Sequence, residues 1–162
     1  MNNNTISARL VVWMTFVIAL IFQTIPWPGV LDLVRPSWLL LVTAYWVMAL
    51  PHRVNVGTAL VLGLLWDILL GSTLGIRGMM MSIVIYIVAL NFLVLRNMAL
   101  WQQALVIAFL STLLDVLIFA GEYLIRDITF NPISLWSGLV NCILWPWLFL
   151  LLRRVRRQWH IR

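Results

Sequence analysis

The chain has 162 residues, 64% of them hydrophobic and only 10% charged, and all eleven of its Lys or Arg positions are arginine, for a formal net charge of +6. A soluble domain carries about 25% charged residues, so the composition excludes a soluble fold and points to an integral membrane protein, a single domain over 1–162 with no length left for a soluble module. The positive charge does not indicate a nucleic-acid partner: the arginines are scattered at the ends of apolar segments, except for Arg153-Arg154-Val155-Arg156-Arg157, which reads as an anchor on anionic lipid.

Met1 to Ala8 is a polar leader with Asn2, Asn3 and Asn4, expected to fray. The first predicted span covers 9–25 and ends at Pro26-Trp27-Pro28-Gly29. It lacks a small-residue cleavage pattern, so it is expected to stay in the mature chain. Beyond Asp32, Arg35 and Pro36, the apolar run Trp38 to Leu50 stops at Pro51-His52-Arg53. That run is short beside the roughly 20 residues a span needs, as in a re-entrant segment, but Ser37 and Pro51 to Val54 lengthen it to a span over 37–54. The third span is predicted over 55–70, the fourth over 79–95 before a turn at Arg96-Asn97, and the fifth over 100–123. A polar loop with Arg126, Asp127, Asn131 and Pro132 leads to the sixth, over 134–152, where Pro146 is predicted to bend the helix. The expected fold is an all-α, six-helix transmembrane bundle.

Arginines on alternate sides of six spans are unequal. Arg9, Arg53, Arg96, Arg153, Arg154, Arg156, Arg157 and Arg162 fall on one side, and Arg35, Arg77 and Arg126 on the other, which puts both termini in the cytoplasm. Asp67, Asp115, Glu122, Asp127, Gln23 and Asn141 then share the outer half.

Asp67 is the most informative of these. A carboxylate at the centre of a membrane helix costs about 2.5–3.5 kcal/mol, so it must face protein, water or an opposite charge, either pinning a helix end or taking part in chemistry. Arg77 is the nearest counter-charge in sequence. Gly71 and Gly75 either form a small-xxx-small surface for a close helix contact or mark a turn. If Asp67 serves only as a hydrogen-bonding group, asparagine should replace it better than leucine.

Hydrolytic or metal chemistry finds little support. The histidines, His52 and His160, belong to the opposite side from the outer carboxylates, and with the lone Cys142 they cannot supply a zinc site. Gly71-Ser72-Thr73-Leu74-Gly75 lacks the lysine of a phosphate-binding loop. Asp67 and Asp115 would make an acid/base pair only if the fold brought them together. No enzyme and no cofactor are expected, and Cys142 reads as a packing residue.

Several stretches carry a resemblance in order and spacing: Arg35-Pro36-Ser37-Trp38, Leu50 to Gly57, Asp67 to Gly78, Ala99 to Ala104, and Asn141 to Arg154 with its Trp-Pro-Trp. Together they resemble the rod shape-determining protein MreD family of bacterial inner membranes, in its gammaproteobacterial form. The resemblance implies a non-enzymatic subunit of the cell-elongation machinery. Its implied partners are MreC and, through MreC, the MreB filament and the penicillin-binding transpeptidase with RodA, in support of lateral peptidoglycan synthesis. Asp67, Gly71 and Gly75 match the family's D-xxx-G-xxx-G pattern as structural or interface positions, and the residue reading adds Arg77, Asp115 and Pro146. The family is also similar to the six-helix substrate-binding subunits of energy-coupling-factor transporters, which implies a competing role as a small-molecule uptake subunit. Such subunits dock through Ala-x-x-x-Ala on the first helix, where this chain offers only Ala8 and Ala19.

Overall fold

In the computed structural model, which describes residues 3–161, every regular element is helical: α1 (Asn3–Thr24), α2 (Trp38–Ala49), α3 (Val56–Leu70), α4 (Ile76–Leu90), α5 (Phe92–Asn97), α6 (Leu100–Tyr123) and α7 (Ser137–Gln158). Short 3-10 turns at Gly29–Val34 and Pro132–Trp136 lead into α2 and α7. The first two residues of the expected frayed leader, Met1 and Asn2, and the tail residue Arg162 lie outside the described residues. The rest of the leader is helical. Ala8 is buried, which ties that end of α1 to the core.

Four helical stretches are long and apolar enough to cross a membrane: Ile6–Thr24, Gly29–Ala49, Leu100–Tyr123 and Pro132–Gln158. The helices α3 and α4 have 15 residues each, about 22 Å at roughly 1.5 Å per residue, against a hydrocarbon core of about 30 Å. The expectation of six full-length spans therefore meets four helices of sufficient length and two shorter ones. Gly71 closes α3 in the left-handed region, and Asn91 ends α4, its Nδ2 donating to the Ile87 carbonyl at 2.9 Å, where a helix had been predicted to run on to 95.

The core is built around α2. Its sequence is apolar on every face, so no orientation exposes a polar stripe and the stable position is the middle of the bundle; Leu39 through Leu50 are all buried. Two of its polar side chains have partners close by, while Trp38 Nε1 is buried without a hydrogen-bond partner. The Thr43 hydroxyl donates to the Leu39 carbonyl at 2.6 Å, and Trp46 Nε1 donates to the Thr15 hydroxyl on α1 at 2.9 Å. The buried Gln103 does the same for the junction of three helices. Its Nε2 donates to the Leu95 carbonyl at the end of α5 (2.8 Å), and its Oε1 accepts from Trp145 Nε1 on α7 (3.3 Å).

Apolar surface gives little attraction between helices in lipid, so close packing at small residues holds such a bundle. Glycines mark the crossings. A Cβ on Gly63 of α3 would stand 2.5 Å from Gly78 Cα and 2.8 Å from Gly78 N on α4, and one on Gly121 of α6 would stand 2.9 Å from Ile76 Cγ2 on α4. Gly138 of α7 lies against the Thr112 side chain of α6 in the same way. Of the two readings of Gly71 and Gly75, a close helix contact or a turn, the structure has the turn. Both have positive φ, +61° and +96°, and open space where a Cβ would be, so they are turn glycines. Helix α7 passes Pro146 without a break, between the buried Trp145 and the exposed Trp147.

Candidate functional site

Asp67 lies in the last turn of α3 and is completely buried. The chain turns back on itself around it. Gly71 ends α3, its N–H donating to the Ile68 carbonyl at 3.2 Å, and Gly75 opens α4. This places the carboxylate over the N-terminus of α4, where backbone N–H groups have no partner within the helix and the helix dipole favours negative charge. Oδ2 accepts from Gly75 N at 2.9 Å and Gly78 N at 3.4 Å. Oδ1 accepts from the Ser72 hydroxyl at 3.1 Å and from Arg77 Nη1 at 3.3 Å.

Arg77 carries the network across the bundle. Its Nη2 is 2.9 Å from Glu122 Oε1 on α6, its Nη1 also donates to the Ser72 hydroxyl, and its guanidinium lies 5.3 Å from the centre of the Trp66 ring. A buried carboxylate is tolerable only when paired and hydrogen-bonded. Here Asp67, Arg77 and Glu122 tie α3, α4 and α6 together at one end.

Three more polar pairs lie at the same end. The Ser137 hydroxyl of α7 donates to Asp115 Oδ2 on α6 at 2.6 Å. Asn141 Oδ1 accepts from Ser37 N at 2.9 Å, joining the entry of α2 to α7, and Gln23 Oε1 accepts from Leu39 N at 3.3 Å. Between these pairs lies a cavity of about 250 Å³ lined by Gln23, Arg35, Ser37, Trp66, Arg77, Asp115 and Glu122, among others. Trp66 Nε1 is buried there without a hydrogen-bond partner.

The predicted site residues thus divide. Asp67, Gly71, Gly75 and Arg77 form one structural unit, and Asp115 shares the cavity with Arg77 but is held by its own partner, Ser137. Among the described residues no hydrogen bond joins Asp67 to Asp115, and Asp115 lines the cavity while the fully buried Asp67 does not. Pro146 lies on α7, outside this cluster. Ala8 and Ala19 are both buried against the core, so α1 turns its small residues inward and not toward a docking partner. Sequence reasoning missed Glu122 as the second partner of Arg77, and, although Gly78 is a small residue of the kind close helix contacts use, it missed Gly63 as the residue opposite it. Ala59-x-x-x-Gly63 was the available signal for the latter, a small-xxx-small pair whose glycine meets α4.

The family model described as rod shape-determining protein MreD matches residues 4–155. The chain is 41% identical over 143 residues to the rod shape-determining protein MreD of Haemophilus influenzae, a match covering 88% of each chain. No solved structure matches it.

Proposed function

The chain belongs to the MreD family of rod shape-determining membrane proteins, and from that premise we propose that it is a non-enzymatic, multi-pass inner-membrane subunit of the cell-elongation machinery. It acts by presenting helix surfaces to MreC and, through MreC, supports lateral peptidoglycan synthesis by the penicillin-binding transpeptidase with RodA, coordinated with MreB. One observation carries the reading. Asp67, Arg77 and Glu122 satisfy one another in one chain of contacts and Asp115 is held by the Ser137 hydroxyl, which is the chemistry of a staple and points to helix faces as the means of action. The α1 face bearing Leu10, Trp13, Met14, Val17 and Ile21 is exposed and apolar, as a surface meeting lipid or a partner's span must be.

In this reading the shorter α3 and α4 cross as a hairpin within six membrane segments, and Arg9, Arg53, Arg96 and the tail lie in the cytoplasm. A reporter fused after Arg162 is expected to be active only in the cytoplasm, and one placed between Asp127 and Asn131 only in the periplasm. Both reporters on the same side would exclude this topology. For function, the protein carrying an affinity tag is expected to retain MreC through detergent purification of membranes. MreC recovered no better than from untagged cells would remove MreC as the direct partner.

A further inference from the structure

Charge is divided between the two ends of the bundle. The carboxylates Asp32, Asp67, Asp115 and Glu122 are in or beside the polar cavity, each with a named partner. At the opposite end two cavities adjoin. One is lined by His52, Arg53, Phe92, Arg96 and Arg156, the other by Tyr45, Phe149, Arg96, Arg153 and Arg156, and both share Ala49. Their volumes are about 510 and 270 Å³. Four arginines from the α2–α3 turn, α5 and α7 therefore converge on one cleft, and among the described residues no acidic side chain lines it. Among the described residues, none of the four is in an ion pair with a carboxylate.

Four guanidinium groups brought together without counter-charge make a positive field that draws anions into the cleft. Arginine's planar fork suits phosphate oxygens in particular. Arg156 is also oriented: its Nε donates to the Ile161 carbonyl at 3.3 Å, and it shares a cavity wall with Tyr45. We propose that this cleft binds a lipid headgroup carrying two phosphates. Arg53 serves one cavity and Arg153 the other, with Arg96 and Arg156 shared between them, which makes two neighbouring anion positions. The apolar walls, Phe92 in one cavity and Met48 and Phe149 in the other, give the start of acyl chains a surface that a free diphosphate would not use, and that favours the lipid source.

Native mass spectrometry of the purified full chain with added lipid tests this. Wild type is expected to retain diphosphatidylglycerol in preference to phosphatidylglycerol, and the Arg96→Gln/Arg156→Gln variant to retain it roughly 10- to 30-fold less well, as two cationic contacts predict. Arg9→Gln/Arg154→Gln makes the same charge change outside the cleft and should bind as wild type. Arg96→Lys/Arg156→Lys keeps the charge without the fork and should fall between them. Equal losses in the cleft and control variants, or no preference between the two lipids at matched phosphate, would reduce the cleft to general surface attraction and overturn the proposal. Displacement of the lipid by inorganic pyrophosphate would assign the site to a free anion and overturn its lipid half.

Discussion

Gly63→Leu is expected to abolish the folded bundle, with little monodisperse protein surviving detergent extraction and size-exclusion chromatography. The atoms that a side chain would meet there are Gly78 Cα, Gly78 N and the Arg77 carbonyl carbon, all backbone and within 3.0 Å, so no rotamer change makes room. Overpacking usually costs about 1–3 kcal/mol. This site belongs at or above the top of that range, because α3 and α4 must separate along their crossing and take the Asp67 network with them. Against a total stability of about 5–15 kcal/mol, that is a large share. Gly71→Leu is the informative comparison. Its surroundings are open, and the cost is only that of a side chain at φ +61°, about 1–2 kcal/mol. If Gly63→Leu survives extraction as well as Gly71→Leu, the close approach of α3 to α4 is wrong.

Asp67→Leu is expected to be nearly as damaging. It leaves Arg77 without its buried partner and two backbone N–H groups at the start of α4 without an acceptor; breaking a buried ion pair from one side costs about 3–5 kcal/mol. The geometry also puts a cost on asparagine, though a smaller one than on leucine. Both oxygens of Asp67 accept hydrogen bonds, Oδ1 from Ser72 and Arg77 and Oδ2 from Gly75 and Gly78. An amide must turn its NH2 group toward one of these donor pairs, so Asp67→Asn should lose about 1–3 kcal/mol instead of being tolerated. Glu122→Gln should lose less, since that side chain is partly exposed and exposed ion pairs contribute about 1 kcal/mol or less. Thermal unfolding midpoints in one detergent should therefore fall in the order wild type, Glu122→Gln, Asp67→Asn, Asp67→Leu. An Asp67→Asn midpoint equal to wild type would contradict the four-donor site.

Much of this architecture was legible from residue types. Apolar runs between prolines and polar turns placed the helices, because backbone groups in lipid must be satisfied within a helix and the breakers therefore stand out. Asp67 announced itself as a buried, paired group because a lone carboxylate among leucines has no other stable state. Its nearest arginine in sequence, Arg77, is its partner because the turn at Gly71 to Gly75 is short. What the sequence hid was tertiary. Glu122 is 45 positions beyond Arg77 in the chain, and only the packing of α4 on α6 brings them together. Gly71 and Gly75 have helix-contact spacing, yet the chain reverses between them, so spacing alone could not separate a packing surface from two turn positions. Gly63 carried one sign, its small-xxx-small spacing from Ala59, but nothing local named Gly78 as the backbone opposite it. Helix α3 ends at Leu70 as expected, but the end of α4 is set by Asn91, which apolar composition does not reveal.

The most direct test of the proposed function is cell shape in the rod-shaped host after depletion of the protein, with variants supplied from a plasmid. Depleted cells are expected to round up and to regain rod shape with wild type or Gly71→Ala, but not with Asp67→Leu or Gly63→Leu. Cells that stay rod-shaped through complete depletion would contradict the assignment to the elongation machinery.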